Sequence, residues 1–302
     1  MLDVAYERFD KRLFGLGLHR GVLFEALHAQ CEAAERVGCH FGVDICDIEQ
    51  TGDTVTVRSA EGKPFGPFDL LVIADGTASK LRPLLGIPSW FKQYSYGALF
   101  GLLPDEHRTF GRTLTQVHDG PGCHTTLGFL PTGVPWGHGV DTLGDGVIDT
   151  HAEHVTTLYY NLRVDEFAAW QRGGLDKFRD TCAALCPQAE DLLQKSLVDP
   201  HQLAFARYSD GVMWQYHKGR VAVIGDAAHS MSPQLGQGCN LALIDAEKLA
   251  DAIVDAATSS SSSSSTSSSS VAGSGSGSLD LPAALASYTR ARWSRRRALA
   301  AA

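Results

Sequence analysis

The carboxylate of Asp226 stands where a buried strand would end and a glycine-containing loop would begin. The four residues before Gly225, 221–224, are all apolar, which is typical of a strand buried on both faces of a parallel sheet. The loop that follows contains Pro233, Gly236, Gln237 and Gly238. A helix is predicted to begin near Asn240, and the amino terminus of a helix attracts negative charge. The segment predicts a site for a polar ligand with a negative edge, and the alternative is an ordinary strand–loop–helix connection.

A second acidic residue, Asp75, ends another continuously apolar run, 70–74. Gly76 permits the tight turn that would expose the next backbone amides. Ser79 and Arg82 follow, and both carry donors suited to phosphate. Because parallel strands present their carboxyl ends at one edge of a sheet, we expect Asp75 to lie near Asp226. A plain turn is the alternative for this segment taken alone.

The two segments resemble motifs of the FAD-dependent aromatic hydroxylases, the class A flavoprotein monooxygenases. Residues 221–245 are similar to the flavin-contacting GD motif, and residues 69–82 look like the DG motif near the cofactor's pyrophosphate. Residues 19–27 resemble the segment in which an arginine before a helix reaches the flavin phosphate. The cofactor-binding residues that the resemblance implies are Arg20, Ile45, Asp75, Asp226, Pro233, Gly236, Gln237, Gly238 and Asn240.

The resemblance implies an enzyme that uses FAD, with NAD(P)H as co-substrate and O₂, to hydroxylate a small aromatic substrate through a flavin hydroperoxide. The flavin would carry the chemistry, so no catalytic side chain is identified. His229 within the first motif is interpreted as a structural histidine, with a catalytic base as the alternative. A halogenase, epoxidase or reductase on the same fold, or a non-catalytic flavoprotein-like module, remains open.

The family's chains open with a strand, a G-x-G-x-x-G turn and a helix whose amides bind the FAD pyrophosphate. Here Gly15, Gly17 and Gly21 are spaced G-x-G-x-x-x-G, and residues 7–12 before them are too charged for a buried strand. We therefore expect an FAD-binding domain that is incomplete at its N-terminus and binds FAD weakly.

The surrounding patterns predict an α/β fold. It would consist of a Rossmann-like FAD-binding domain, incomplete at the N-terminus, with an inserted α+β substrate domain of mostly antiparallel sheet. A helix over 20–37 with Gly38 as its C-cap and strands over 41–49 and 53–59 are also expected. The predicted domains are 1–87, the first FAD-binding part; 88–212, the inserted domain; 213–257, the GD motif and its helix; 258–278, a disordered Ser/Gly-rich linker; and 279–302, a C-terminal helix.

Composition excludes several classes of protein. The net charge of −8 argues against general nucleic-acid binding, and the sequence contains neither a signal peptide nor a long apolar run, so a cytoplasmic protein with no membrane span is expected. The seven cysteines are scattered without zinc-site spacing, so they are interpreted as reduced thiols and no metal site is predicted. Five C-terminal arginines are interpreted as the solvated face of a helix: Arg290, Arg292, Arg295, Arg296 and Arg297.

Overall fold

The computed structural model describes residues 5–120, 125–133, 154–233, 236–262 and 279–299, with the backbone alone at 260–262 and 293–299. The strands are β1 (Ile45–Thr51), β2 (Thr54–Ser59), β3 (Pro64–Phe68), β4 (Leu71–Ile73), β5 (Ser89–Pro104), β6 (Thr115–His118), β7 (Thr126–Gly133), β8 (Val155–Arg163), β9 (Leu203–Met213), β10 (His217–Lys218) and β11 (Val221–Val223). The helices are α1 (Arg20–Ala33), α2 (Phe167–Gly173), α3 (Leu175–Leu185), α4 (Glu190–Ser196), α5 (Asp226–His229), α6 (Gly238–Ser262) and α7 (Leu281–Leu299).

The chain divides into two compact units. The antiparallel unit comprises Met1–Cys39 and Ser95–Arg207, and the parallel-strand unit comprises His40–Tyr94 and Tyr208–Ala302. The α/β fold class is as predicted. The predicted inserted domain, 88–212, includes the whole of Ser95–Arg207 and extends a little beyond it at both ends. The domain assignment itself stays a prediction.

The parallel-strand unit contains the two apolar strands that the sequence predicted. β11 pairs with β4 in parallel and with β10 in antiparallel orientation, and β1, β2 and β3 form a separate antiparallel sheet. α6 and α7 pack against each other and contribute Leu249 and Leu285 to one core with Ile73 and Val223. β11 is buried along its whole length, as expected of a fully apolar strand in a parallel sheet, whereas Val72 in the middle of β4 is 38% exposed, so the prediction that β4 is also buried on both faces was wrong.

The antiparallel unit contains a five-stranded sheet in the order β6-β7-β8-β5-β9. Its core includes Leu99, Phe129 and Leu158 from the strands and Phe178 and Cys182 from α3. The mostly antiparallel sheet that was expected in this part of the chain is confirmed by β5, β7 and β8.

Two predicted helix limits are wrong. α1 ends at Ala33 and not at 37, because Ala34 adopts extended geometry and its amide closes the last turn on the Cys31 carbonyl. The side chains of α1 are half-buried or exposed, so the helix contributes no fully buried residue to a core. The predicted linker over 258–278 begins inside α6, where the Thr258 and Ser259 hydroxyls donate to the Asp255 carbonyl, a bond compatible with a helix. Residues 263–278 lie outside the described residues.

The buried thiols of the antiparallel unit give a test of its packing. Burial raises the pKa of Cys182 to about 12, and burial also raises the pKa of Cys186. Among the described cysteines, Cys39, Cys46 and Cys239 are exposed. Since the thiolate is the reactive form, iodoacetamide at pH 8 should label these three cysteines and leave Cys182 and Cys186 unlabelled until urea unfolds the chain. Peptide mass spectrometry measures this, and native-state labelling of Cys182 at the rate of Cys39 would contradict the packing.

Candidate functional site

The parallel register of β4 and β11 places the two predicted acidic residues at one edge of their sheet. Val223 is opposite Ile73, and the Ile224 amide donates to the Ile73 carbonyl at 3.0 Å. The chain therefore leaves both strands at the same level, and Asp75 and Asp226 follow two to three residues later. We call this edge, with residues 74–82, 224–233 and 236–240, the strand-end site.

Asp226 is exposed at the strand-end site, and its Oδ2 accepts a hydrogen bond from the Thr77 hydroxyl at 3.4 Å. A bond of this length is weak, so the carboxylate can still accept a shorter bond from a ligand hydroxyl. The contact also shows that the loop after β4 touches the turn after β11.

Asp75 holds its own loop in shape. Its Oδ2 accepts from the backbone amides of Lys80 at 3.0 Å and Leu81 at 3.4 Å. The Ser79 hydroxyl is buried and accepts from the Arg82 amide at 2.9 Å. Ser79 therefore caps the turn by accepting through its hydroxyl oxygen, and its predicted role as a phosphate donor stays a prediction.

Arg82 connects the two loops. Its guanidinium donates to the Thr77 carbonyl at 3.3 Å and to the Ala227 carbonyl at 3.0 Å, and it stacks over the Phe91 ring at 3.6 Å. Burial lowers the pKa of Arg82. The predicted phosphate donor thus has intramolecular partners in both strand-end loops, which fixes their relative position.

A cavity of about 420 Å³ opens beside β4 within the parallel-strand unit. Ile45 and Asp75, both predicted as cofactor residues, lie in its wall together with Leu81. Lys80 and Asp44 form an ion pair at 2.7 Å in the same wall. The volume lies within the range of small-molecule sites, and the mixed apolar and polar wall is typical of them.

The amino terminus of α6 lies next to Asp226. A Cβ built on Gly238, the first residue of the helix, would lie 3.9 Å from Asp226 Oδ1. Gly236 adopts φ +59° and its amide donates to the Pro233 carbonyl at 2.9 Å. The Asn240 side chain donates to Gln237 Oε1 at 3.4 Å. The first-turn amides of a helix have no intrahelical acceptor, so this end is suited to a negatively charged group.

A buried carboxylate that the sequence analysis missed, Asp245, lies behind the site. Asp245 is fully buried, and its Oδ2 accepts from the Gly225 amide at 2.8 Å and lies 2.6 Å from His229 Nε2. This contact with a buried carboxylate supports the interpretation of His229 as a structural histidine, which stays a prediction. The sequence did contain a sign of this residue, because Asp245 lies at helical spacing on the same face as the apolar Ala242 and Leu249.

Arg292 of α7 forms an ion pair with Asp245 through its Nε and Asp245 Oδ1. It is 6% exposed, so its interpretation as part of a solvated face was wrong. The physical reason is the buried negative charge on α6, which requires a partner. Arg290, on the same helix, is exposed as predicted.

Arg20 lies in the other unit, as the first residue of α1, and its side chain is exposed. The preceding residue, His19, caps the helix by accepting from the Gly21 amide at 3.2 Å. The role of Arg20 toward the cofactor stays a prediction.

The strand-end site fits the cofactor that the resemblance implied. It combines an exposed carboxylate for a sugar or ribityl hydroxyl, a helix amino terminus for a negative edge and an adjoining cavity. In the described parts of the chain, none of the helices has the length and apolar character needed to cross a bilayer.

Several curated proteins are similar in sequence to this chain over part of their own length. Human mitochondrial ubiquinone biosynthesis monooxygenase COQ6 is 30% identical over 67% of the chain and 45% of the relative. The 2-heptyl-3-hydroxy-4(1H)-quinolone synthase of Mycobacteroides abscessus is 29% identical over 80% and 57%. The FAD-dependent urate hydroxylase of Klebsiella pneumoniae is 31% identical over 70% and 50%. The chain spans about half the length of the curated relatives that it matches.

Solved structures share the fold. Klebsiella pneumoniae HpxO complexed with FAD and uric acid is 23% identical with a TM-score of 0.61, covering 92% of the chain and 59% of HpxO. 2-Methyl-3-hydroxypyridine-5-carboxylic acid oxygenase is 18% identical with a TM-score of 0.67, covering 93% and 65%. A family model described as "FAD binding domain" matches residues 25–268. Because that match includes more than half of the chain and contains the strand-end site, the chain belongs to the FAD-binding-domain family.

Proposed function

We propose that the protein is an FAD-dependent monooxygenase that uses NAD(P)H and O₂ to hydroxylate a small aromatic molecule. The observation that carries the proposal is the parallel pairing of β4 with β11, which brings Asp75 and Asp226 to one edge beside the start of α6. Membership in the FAD-binding-domain family supports the cofactor. The names of relatives, among them a monooxygenase and a urate hydroxylase, support the class of reaction.

The residues of the strand-end site would bind and orient the flavin. Asp226 would accept a hydrogen bond from a ribityl hydroxyl, because its exposed carboxylate keeps only a long bond to Thr77. The amides at the start of α6, from Gly238 onward, would face the flavin edge where negative charge collects on reduction. Ile45 and Asp75 would border the adenosine part through the adjoining cavity. Bound FAD would supply the redox chemistry between NAD(P)H and O₂.

We assign substrate binding to the predicted inserted domain, 88–212, and place the protein in the cytoplasm. The acidic net charge of −8 favours a small-molecule substrate over nucleic acid. Among the aromatic side chains of 88–212, Phe129 is fully buried in the core and does not line a substrate face, and Trp136 lies outside the described residues.

Asp226→Ala tests the proposal. Loss of a hydrogen bond to a carboxylate costs about 1.5–3 kcal/mol, so the variant should bind FAD about ten- to a hundredfold more weakly than the unchanged chain. Flavin fluorescence titration measures the affinity. Asp251→Ala is the matched control, because Asp251 is an exposed α6 aspartate that forms an ion pair with a surface lysine, Lys248. Equal affinities for all three proteins would remove Asp226 from the site.

The reaction class has its own test. The flavin-loaded protein is given NADPH or NADH, ¹⁸O₂ and a panel of hydroxylated aromatic compounds. A monooxygenase should incorporate one labelled oxygen atom into the product, detected by mass spectrometry. Oxidation of the nicotinamide without label in any product would point to a reductase or an uncoupled oxidase instead.

A further inference from the structure

The C-terminal helix α7 reaches the end of the strand that carries the site. The Tyr288 hydroxyl is buried and donates to the carbonyl of Val223, the last residue of β11, at 3.1 Å. Leu281 and Leu285 of the same helix belong to the core of the parallel-strand unit. α7 is therefore packed directly behind the turn that leads from β11 to Asp226.

Asp245 divides its two oxygens between α7 and that turn. Oδ1 is paired with Arg292 of α7. Oδ2 accepts from the Gly225 amide and contacts His229 Nε2. A carboxylate that is fully buried stays charged only with a partner, and Arg292 is the buried guanidinium that touches it. The orientation of Oδ2 toward the turn therefore depends on the charge and position of Arg292.

The turn itself is held at both ends by this one carboxylate. Gly225 adopts φ +59° and ψ −146°, a conformation that favours glycine, and its carbonyl accepts from the amides of Ala228 and His229 at 2.9 and 3.0 Å. The His229 ring packs edge-on against Tyr216 with centroids 5.9 Å apart. Asp226 lies between the two residues that Asp245 contacts, so its direction is set by them.

We propose that Arg292 is a positioning residue for the flavin site. By compensating Asp245, it fixes the turn from Gly225 to His229 and so aims Asp226 at the ligand, although Arg292 itself touches no ligand. This inference rests on the proposed function, because that function identifies the ligand as FAD. The role of Arg292 in fixing the turn is argued from geometry alone. It makes the C-terminal helix a part of the site's support.

The test uses the whole chain with Arg292→Met, Arg292→Lys and the control Arg290→Met, which removes an exposed arginine from the same helix. Hydrogen exchange without flavin should be at least tenfold faster in Arg292→Met for the peptide covering 224–230, and unchanged in the control. FAD affinity, titrated at 10 °C where circular dichroism reports a folded chain, should fall at least tenfold in Arg292→Met. Arg292→Lys keeps the charge and should recover part of both effects.

The outcomes separate this inference from the proposed function. If Arg292→Met does not fold, Arg292→Lys decides, with at least threefold weaker binding and faster exchange at 224–230 expected. Unchanged exchange and affinity in the folded Arg292 variants, or equal losses in Arg290→Met, would overturn the positioning role. If the chain without substitutions shows no saturable FAD binding, the proposed function is overturned, whatever the exchange data show.

Discussion

Gly225→Ala is expected to lower the free energy of unfolding by about 2–5 kcal/mol and to abolish flavin retention. Gly225 has a positive φ together with ψ −146°, a combination that side-chain-bearing residues avoid. A Cβ there would lie 3.3 Å from the Ala242 Cβ of α6, so the helix or the turn must shift. Any shift also strains the charge-assisted hydrogen bond that the Gly225 amide donates to the Asp245 carboxylate.

Urea denaturation of the variant, followed by circular dichroism, measures this loss. The matched control is Gly52→Ala, since Gly52 has φ +57° but its added Cβ would meet open space. It should cost only the conformational penalty of about 1–2 kcal/mol. Equal losses at the two glycines would mean that the turn after β11 is not held as described.

Phe129→Ala should destabilise the antiparallel unit by about 3–5 kcal/mol. Phe129 is fully buried in β7, stacks on Phe110 with ring centroids 4.5 Å apart, and is paired across the sheet with Leu158. Truncation removes the ring's burial and leaves a cavity that a sheet held by strand pairing fills poorly. The loss should appear as a lower urea midpoint in the transition that reports this unit.

Phe24→Ala is the matched control for that change, because Phe24 is 53% exposed on α1 of the same unit. It should change the free energy of unfolding by less than about 1 kcal/mol. A loss at Phe24 as large as the loss at Phe129 would show that α1 is covered in solution and that the described exposure is wrong.

The sequence was sufficient to predict the strand-end juxtaposition. Continuous apolar runs before Asp75 and Asp226 indicated buried parallel strands, and parallel strands end at one edge. The side-chain partners of Ser79 and Arg82 were not predictable in this way. Whether an arginine faces a phosphate or two backbone carbonyls depends on packing between loops 145 positions apart in the chain, which no local pattern encodes.

The periodicity of the sequence predicted where helices form, but it did not predict which of their side chains other elements would bury. The apolar spacing over 20–37 indicated α1, but its side chains are half-buried or exposed. The arginine run at the C-terminus indicated a polar helix, although one arginine is directed inward to a buried aspartate. That partnership joins residues on α6 and α7, and it follows only from the way the two helices pack.

The most direct test of the account is hydrogen exchange of the whole chain with and without saturating FAD, resolved by peptide. We expect at least tenfold slower exchange in peptides covering 74–82, 224–233 and 236–240, which form the strand-end site. Exchange over 187–197, at α4 in the antiparallel unit, should not change. Protection confined to other segments, with the three strand-end peptides exchanging as in the free chain, would contradict the placement of the flavin.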